Sequence, residues 1–254
     1  MSQSNLTPNV LIFGATGGIG SSLARQLHGL GYGLILAARG SNRLDALALE
    51  LKADACPVEA TDSASVETCV ARVFEQHGRL EGVVNCVGSI LIKPAHSTTD
   101  DEWSSVLALN LNSSFYIIRS ATNRMMRSGG GSIVMLTSAV AQRGMINHEA
   151  IAAAKAGVVG IALSAAATYA RYNIRVNCVA PGLTRTPLTA SLTKSESVVR
   201  ASAALHPLGR IGEPDDVASA IRWFLDPQQS WVTGQVLAVD GGLSSVQARN
   251  GTTP

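Results

Sequence analysis

The sequence predicts a single-domain α/β fold of the Rossmann type, a doubly wound parallel sheet with helices on both faces. Short, wholly apolar runs alternate with longer helical patterns along the 254 residues, as expected for strands buried on both sides. A glycine cluster follows the first apolar run and opens the first helix, where such sheets bind phosphates. Apolar residues make up 46% of the chain and charged residues 15%, which is enough for one large core.

The predicted elements follow one another in regular alternation. Apolar, β-rich runs predict strands at 10–13, 34–38, 82–86, 132–137, 175–179 and 236–239. Leucines 44, 47 and 51 recur at helical spacing, and similar patterns predict helices at 21–30, 42–52, 66–77, 100–126, 150–170 and 215–225. The right-handed crossover rule then leaves a doubly wound sheet as the simplest architecture.

The chain shows no internal repeat and no low-complexity linker, so we predict one domain over 9–245. Residues 1–8 are polar and are predicted to be a flexible arm, and 246–254 a C-terminal tail. The segment 184–208 is rich in Ser, Thr and Ala and follows the carboxyl end of a predicted strand. Because ligands bind at that end of such sheets, we interpret this segment as a mobile substrate lid.

Charge and composition exclude several classes of partner. The net charge is +2 without a basic cluster, so we expect no nucleic acid. No apolar run is seen to approach the roughly 20 residues that span a bilayer, so we expect no membrane and a cytoplasmic location. The four cysteines are scattered without a CxxC pair, which predicts no metal site and buried, reduced thiols at Cys56, Cys69, Cys86 and Cys178.

The glycine cluster predicts a dinucleotide site. Its spacing is Gly14-x3-Gly18-x-Gly20, and Thr16 and Ile19 lie inside it. Glycine permits the tight turn and the close approach of a pyrophosphate, and the following helix offers its N-terminus to the phosphates. The structural alternative is a turn that uses glycine for its shape alone.

The end of the second predicted strand favours NADP over NAD. An NAD site places a carboxylate there, about 20 residues after the glycines, to accept from the ribose 2′-hydroxyl. This chain has no acidic residue at that point and has Arg39 and Arg43 instead. Guanidinium groups pair well with a phosphate, although Arg43 is equally compatible with a solvated helix residue.

These motifs, in this order, resemble the classical short-chain dehydrogenase/reductase family from about residue 9 to 244. The glycine pattern is similar to the family's TGxxxGxG, 84–88 to its NNAG segment, and 173–182 to its Pro-Gly strand. The resemblance implies further cofactor contacts from residues that match these motifs and their surroundings: Glu59, Ala60, Asn85, Gly88, Pro181, Gly182, Thr184 and Thr186.

The resemblance also implies a catalytic set, of which three members are present. Asn110, Ser138 and Lys155 match the family's proton-relay asparagine, carbonyl-orienting serine and ribose-binding lysine. The family's catalytic tyrosine stands four residues before the lysine and about 13 after the serine. Both counts lead to Ile151, which has no proton to donate.

His148 is the candidate that we favour as a replacement proton donor. It lies three residues before Ile151, at the start of the same predicted helix, and imidazole is a competent general acid near neutral pH. The plain alternative is a solvated residue at a helix N-terminus. His206 is expected to be an ordinary surface or loop residue.

Taken together, the sequence predicts an NADP(H)-dependent oxidoreductase of a ketone or secondary alcohol with an atypical active site. The alternatives are a catalytically silent subunit that pairs with an active relative, or a nucleotide-binding regulator. The helix at 150–170 is apolar on most faces, which predicts burial on several sides. The resemblance implies that this burial occurs in a homodimer or homotetramer, with a hetero-oligomer or a lone buried helix as alternatives.

Overall fold

Parallel strands form the centre of the computed structural model, which describes residues 8–247. Within these residues the strands are Asn9–Phe13 (β1), Gly33–Ala38 (β2), Asp54–Pro57 (β3), Gly82–Asn85 (β4), Gly131–Leu136 (β5), Ile174–Pro181 (β6) and Val236–Val239 (β7). They form one sheet in the order β3-β2-β1-β4-β5-β6-β7. The predicted doubly wound parallel sheet is therefore confirmed.

The strand order reverses beside β1, which is the point that positions the site. Leu11 of β1 pairs with Ile35 of β2 on one side and with Val83 of β4 on the other. The connections that leave β1 and β4 therefore diverge, and a crevice opens at the carboxyl ends of these two strands. The Gly14–Gly20 loop and the turn after Asn85 form the two sides of that crevice.

Helices cover both faces of the sheet. One face carries Gly18–Gly29 (α1), Asn42–Leu51 (α2) and, from the end of the chain, a helix that packs on α1; the other carries the helices between β3 and β6. In chain order the remaining helices are Ser63–His77 (α3), Asp100–Leu107 (α4), Ser113–Met125 (α5), Glu149–Tyr169 (α6), Ala190–Thr193 (α7), Glu196–Leu205 (α8) and Pro214–Leu225 (α9).

Two apolar cores lie on opposite faces because successive strand residues point to opposite sides. Leu11 and Phe13 of β1 pack with α3, α5 and α6, whereas Val10 and Ile12 pack with α1, α2 and α9. All four side chains are fully or almost fully buried. Burial on both faces explains why the strands contain apolar residues in continuous runs.

The structure differs from the sequence prediction in three places. The short strand β3 was not predicted, because only Cys56 of its four residues is buried and no apolar run marks it. The predicted helix at 100–126 is interrupted by a π-helical turn at Ala108–Asn112. The predicted lid contains two helices, α7 and α8.

The expectation of four reduced thiols is wrong for one pair. Cys56 at the end of β3 and Cys69 on α3 form a disulfide, with a Cα–Cα distance of 6.4 Å. Their separation of 13 residues carries no recognisable motif, and they meet because α3 folds back over β3. Cys86 and Cys178 are free thiols.

Helix α6 corrects the expectation that no apolar segment is long enough to span a bilayer. Together with the turn that follows it, α6 extends over Glu149–Tyr172 and is long and apolar enough to span a bilayer, which the sequence pattern did not show. Core helices of globular proteins meet the same criterion, and α6 lies against β6 with Lys155 turned inward. Less than half of its apolar window is buried within one chain, so the predicted oligomer interface remains a prediction for this helix.

Candidate functional site

The glycine loop brings backbone rather than side chains to the crevice. Gly14 has a φ of +73°, a conformation that favours glycine, and its N–H donates to the Ala37 carbonyl at 2.8 Å. A Cβ at Gly14 would lie 2.8 Å from the carbonyl carbon of Cys86. Helix α1 begins at Gly18, so its first N–H groups face the open side of the loop.

Replacing Gly20 with alanine is expected to distort this loop. The added methyl group would collide with the Gly14 carbonyl oxygen and lie 2.9 Å from the Ala15 Cα, and neither backbone atom can move freely. We expect a loss of about 1–3 kcal/mol of unfolding free energy, measured with urea, and weaker nucleotide binding. Gly29→Ala, at the other end of α1, is the matched control.

At Gly29 an added methyl group would meet nothing within 4 Å. That substitution should therefore stabilise the protein by about 0.5–1 kcal/mol, since alanine loses less chain entropy in a helix. Equal effects of the two substitutions would contradict a packing requirement at Gly20.

A cavity of about 590 Å³ extends from this loop along the ends of β1 and β2. Most of the residues predicted to bind a cofactor line it: Gly14, Thr16, Gly18, Ile19, Gly20, Arg39, Arg43, Glu59, Ala60, Gly88 and Thr186. Asn85 does not. It is buried behind the cavity, where its amide donates to Ser114 Oγ at 3.0 Å and accepts from the Val87 N–H at 2.9 Å.

Two arginine side chains carry positive charge at the end of this cleft that follows β2. Arg39 and Arg43 are exposed, and within the described part of the chain neither belongs to a salt bridge. Glu59 is nearby, but its carboxylate accepts from the Thr61 hydroxyl at 2.7 Å and from the Thr61 N–H at 3.1 Å. These hydrogen bonds, with the charge of Arg39, lower the pKa of Glu59.

A second cavity, of about 340 Å³, brings together the predicted catalytic residues Ser138, His148 and Lys155 with Ile151. Pro181, Gly182 and Thr184 line it from the end of β6. The rest of its wall is largely apolar and is provided by the β4 turn, the α6 entrance and the lid, with Ile90, Ile92, Met145, Leu183, Leu188, Leu192, Val198, Leu205 and Leu243.

Lys155 is the charged group deepest in this cavity. It is 7% exposed, and its Nζ donates to the Leu136 carbonyl at 3.0 Å. Burial lowers the pKa of Lys155 from 10.5 to about 8. Ile151 lies one helical turn earlier on α6, is 4% exposed, and packs with Val106 and Ala154.

Ser138 and His148 enter the cavity from two turns. Ser138 follows β5 and caps the short turn Ala139–Ala141, where its Oγ accepts from the Val140 N–H at 3.4 Å. His148 precedes the first residue of α6, and its Nδ1 lies 2.6 Å from the Ile146 carbonyl. A carbonyl only accepts, so Nδ1 carries a hydrogen and Nε2 is the atom free to face a ligand.

Asn110 lies in the π-helical turn and reaches the back of Gly88. Its Oδ1 accepts from the Ser89 N–H at 3.1 Å, and its Nδ2 donates to Ser89 Oγ and to the Val106 carbonyl, both at 2.9 Å. A Cβ at Gly88 would lie 2.9 Å from Asn110 Oδ1 and 3.3 Å from Lys155 Nζ. Asn110 therefore supports the wall of the site and does not itself line either cavity.

The expectation that His206 is an ordinary surface or loop residue is wrong. It is 4% exposed, lines the second cavity, and has its ring against Gly182, where a Cβ would lie 2.7 Å from Nε2. Its Nδ1 lies 2.7 Å from the Ser202 carbonyl, and Nε2 has no hydrogen-bond partner in the part of the chain that the structure describes. No local motif marks this residue, because the lid places it by folding over the end of β6.

The two cavities lie next to each other and share part of their walls. Ile19, Gly88, Thr186 and Leu188 line both. A Cβ at Gly18 would lie 2.8 Å from the Thr186 methyl group, so the start of the lid lies directly on the glycine loop. A ligand extended along the first cavity would reach the Ser138–Lys155 cavity at Gly88.

Comparisons with known proteins agree with this geometry. A family model described as enoyl-(acyl carrier protein) reductase matches residues 14–244. The chain is 33% identical over 238 residues to the 3-oxoacyl-(acyl-carrier-protein) reductase FabG of Thermotoga maritima, covering 92% of this chain and 96% of that protein.

Two solved structures extend the comparison. A short-chain type dehydrogenase/reductase from Mycobacterium ulcerans superposes with a TM-score of 0.91 at 32% identity, covering 97% of this chain and 93% of the other. A variant of actinorhodin polyketide ketoreductase with NADPH superposes with a TM-score of 0.90 at 30% identity, covering 94% of this chain and 98% of the other. The chain therefore belongs to the short-chain dehydrogenase/reductase family of oxidoreductases.

Proposed function

We propose that this protein is an NADP(H)-dependent oxidoreductase that interconverts a ketone and a secondary alcohol. The observation that carries the proposal is the shared wall at Gly88 and Thr186, where the glycine-loop cleft adjoins the cavity of Ser138 and Lys155. A dinucleotide lying along the cleft would bring its reactive end to the apolar cavity. The cofactor supplies or accepts a hydride when it is bound.

The residues present fit a phosphorylated dinucleotide. A Cβ at Gly14, Gly18 or Gly20 would collide with neighbouring protein atoms, so the loop needs glycine at these positions, and the N-terminus of α1 follows it. Arg39 and Arg43 offer two guanidinium groups beside the cleft and no carboxylate ends β2. This combination favours a ribose 2′-phosphate over a free 2′-hydroxyl, hence NADP over NAD.

The chain's own groups divide the remaining work. The Ser138 hydroxyl donates a hydrogen bond to the substrate oxygen and orients it. The Lys155 amine would hold the nicotinamide ribose of a bound cofactor, and Asn110 keeps the Gly88 wall in place from behind. The apolar lining excludes water from the reacting carbon.

The missing role is proton donation, because Ile151 stands at the position of the family's catalytic tyrosine. We assign that role to His148, which lines the same cavity and has Nε2 free of intramolecular hydrogen bonds. In its protonated form, Nε2–H would donate a proton to the substrate oxygen. In the reverse direction neutral Nε2 accepts it.

A panel of ketones tests the proposal directly. The purified chain is titrated with NADPH and NADH by fluorescence, and turnover of apolar ketones is followed by NADPH absorbance at high protein concentration. We expect NADPH binding and slow turnover. Binding without any turnover would contradict oxidoreductase activity and favour the silent-subunit function.

Replacing His148 with alanine is expected to lower kcat by about 10²-fold or more, with little change in NADPH affinity, because general acid catalysis typically contributes 10²–10⁴-fold. His96→Ala is the matched control, since His96 is exposed and lines neither cavity. An unchanged kcat for His148→Ala would assign the proton to water or to another group.

Replacing both Arg39 and Arg43 with alanine is expected to weaken NADPH binding by about 10–100-fold, the loss of one or two charge-assisted hydrogen bonds. NADH binding should change less than about threefold, since its ribose carries no phosphate. The matched control is Arg127→Ala, an exposed arginine just before β5, at the amino ends of the strands and therefore on the side of the sheet away from the cleft. Equal losses for both nucleotides would contradict the preference for NADP.

The second candidate is a catalytically silent or regulatory subunit, and the buried, apolar Ile151 is the observation that favours it. Such a chain would bind the nucleotide and associate through α6, whose apolar window is largely uncovered within one chain. We propose a homodimer or homotetramer. Co-purification with an active relative would instead support the hetero-oligomer.

A further inference from the structure

Lys155 is a buried amine without a counter-ion. None of the residues that line its cavity is Asp or Glu, and no salt bridge within residues 8–247 includes it. Among residues 8–247, its one hydrogen-bond partner is the neutral Leu136 carbonyl. A protonated amine in this position has lost its hydration and gained no negative charge in exchange.

The titratable neighbours do not supply that negative charge. Cys86 on the β4 side and Cys178 on β6 are the groups whose charges would act on Lys155. Burial raises the pKa of both thiols to about 12, so they stay neutral. His148 also lines the cavity but cannot become an anion. Lys155 therefore loses its proton at a much lower pH than a solvent-exposed lysine does.

We propose that Lys155 is a nucleophilic amine that captures apolar aldehydes as an imine when the nucleotide cleft is empty. The lone pair of Nζ attacks the carbonyl carbon, a C–N bond forms, and the carbonyl oxygen takes up a proton to give the carbinolamine. Loss of that oxygen as water, with the second nitrogen proton, leaves a C=N bond. One amine and one carbonyl give one imine and one water.

The cavity selects the aldehyde. Its wall is formed mainly by aliphatic side chains such as Ile90, Leu192 and Val198, which favour an alkyl chain and disfavour a carboxylate. Ser138 lines the same space and can hydrogen-bond to the attacked oxygen. The adduct shares the cavity with the proposed reductase site but needs neither hydride transfer nor a proton from His148.

Reductive trapping tests the proposal without any turnover assay. The folded protein without cofactor is treated with limiting hexanal and sodium cyanoborohydride, which reduces the imine to a stable secondary amine. Peptide mass spectrometry then compares the four lysines of the chain, Lys52, Lys93, Lys155 and Lys194. Lys52 and Lys194 are exposed and serve as the matched controls.

At pH 7 we expect Lys155 to be alkylated at least tenfold faster than Lys52 and Lys194. The fraction of neutral amine differs by roughly two hundredfold between a pKa near 8 and an ordinary lysine, which leaves a margin for slower access. The advantage should shrink as the pH rises towards 10, when exposed lysines also lose their protons.

Three further experiments test whether the reaction occurs at Lys155 inside this cavity. NADPH should protect Lys155, because Gly88 joins the two cavities. Glyoxylate, a charged aldehyde, should show much less preference for Lys155 than hexanal does. Protein unfolded in urea should label its four lysines at similar rates.

Labelling of Lys155 no faster than Lys52 and Lys194 at pH 7 would overturn the proposal, whatever the reductase activity. Selective labelling that NADPH does not block, or that glyoxylate shares, would overturn its placement in this cavity. If ketone reduction fails while selective labelling succeeds, the proposed function falls and the imine site stands.

Discussion

Replacing Lys155 with methionine is expected to raise the free energy of unfolding by about 2 kcal/mol at pH 7 while nucleotide binding is lost. The pKa of Lys155 falls from 10.5 to about 8 in the folded chain, which corresponds to a cost of about 3 kcal/mol for holding the cation. The variant also loses the hydrogen bond to the Leu136 carbonyl, which offsets about 1 kcal/mol of the stabilisation. The methionine side chain has a similar length and can occupy the space of the Lys155 side chain.

The pH dependence of this stabilisation has a definite sign. Below about pH 8 the amine is protonated in both the folded and the unfolded chain, so the buried cation destabilises the folded protein by its full amount. Between about 8 and 10.5 the unfolded chain binds more protons than the folded one, so the stability of the parent rises with pH. The difference between Lys155→Met and the parent should therefore fall by about 3 kcal/mol across that window and change sign, because only the parent keeps the hydrogen bond to the Leu136 carbonyl.

Urea titrations at several pH values measure this difference directly, because other titrating groups cancel between the two proteins. Lys155→Arg keeps a buried cation and should show no gain in stability. A methionine variant that is less stable than the parent at pH 7 would contradict the cost of the unpaired cation.

Replacing Ile151 with tyrosine is expected to raise kcat for ketone reduction by about 10²–10⁴-fold, the usual contribution of a positioned general acid. Ile151 stands one helical turn before Lys155 on the same face of α6, and it lines the cavity of about 340 Å³. A phenol there would meet the amine that favours its ionised form. The larger ring extends into the cavity, although some overpacking against Val106 costs stability.

Ile151→Phe is the matched control, since it adds the ring without the hydroxyl. Steady-state NADPH oxidation with the best ketone of the panel should rise for tyrosine and stay at the parent level for phenylalanine. Equal rates for the two variants, with NADPH affinity retained, would show that the site lacks more than the proton donor and would favour the silent subunit.

The parts of the fold that the sequence predicts are those with a local signature. Continuous apolar runs such as 10–13 and 132–137 predict buried parallel strands, and most predicted strand boundaries agree with the structure to within two residues. Strand β3 has a single buried residue, Cys56, and therefore no pattern to find. The lid helices α7 and α8 were not predicted, because α7 has only four residues and α8 has no buried residue to mark an apolar face.

For the candidate site, local motifs predict which residues meet but not their environment. The spacing of Ser138, Ile151 and Lys155 predicts one constellation, and the structure brings all three to one cavity. The isolation of the Lys155 amine depends on the absence of acids among distant segments, which only the fold can assemble. The same holds for His206, which is buried by contact with Gly182 across the lid.

The contact between Thr186 and Gly18 has a kinetic consequence. We expect the lid to lift before a nucleotide enters or leaves, because its first residues rest on the glycine loop that we propose cradles the dinucleotide. The substrate cavity, by contrast, reaches its full wall only with the lid down. Nucleotide would then bind before substrate and leave after product, and the departure of the spent nucleotide, gated by lid opening, would set the upper limit on turnover even in a variant whose chemistry had been restored.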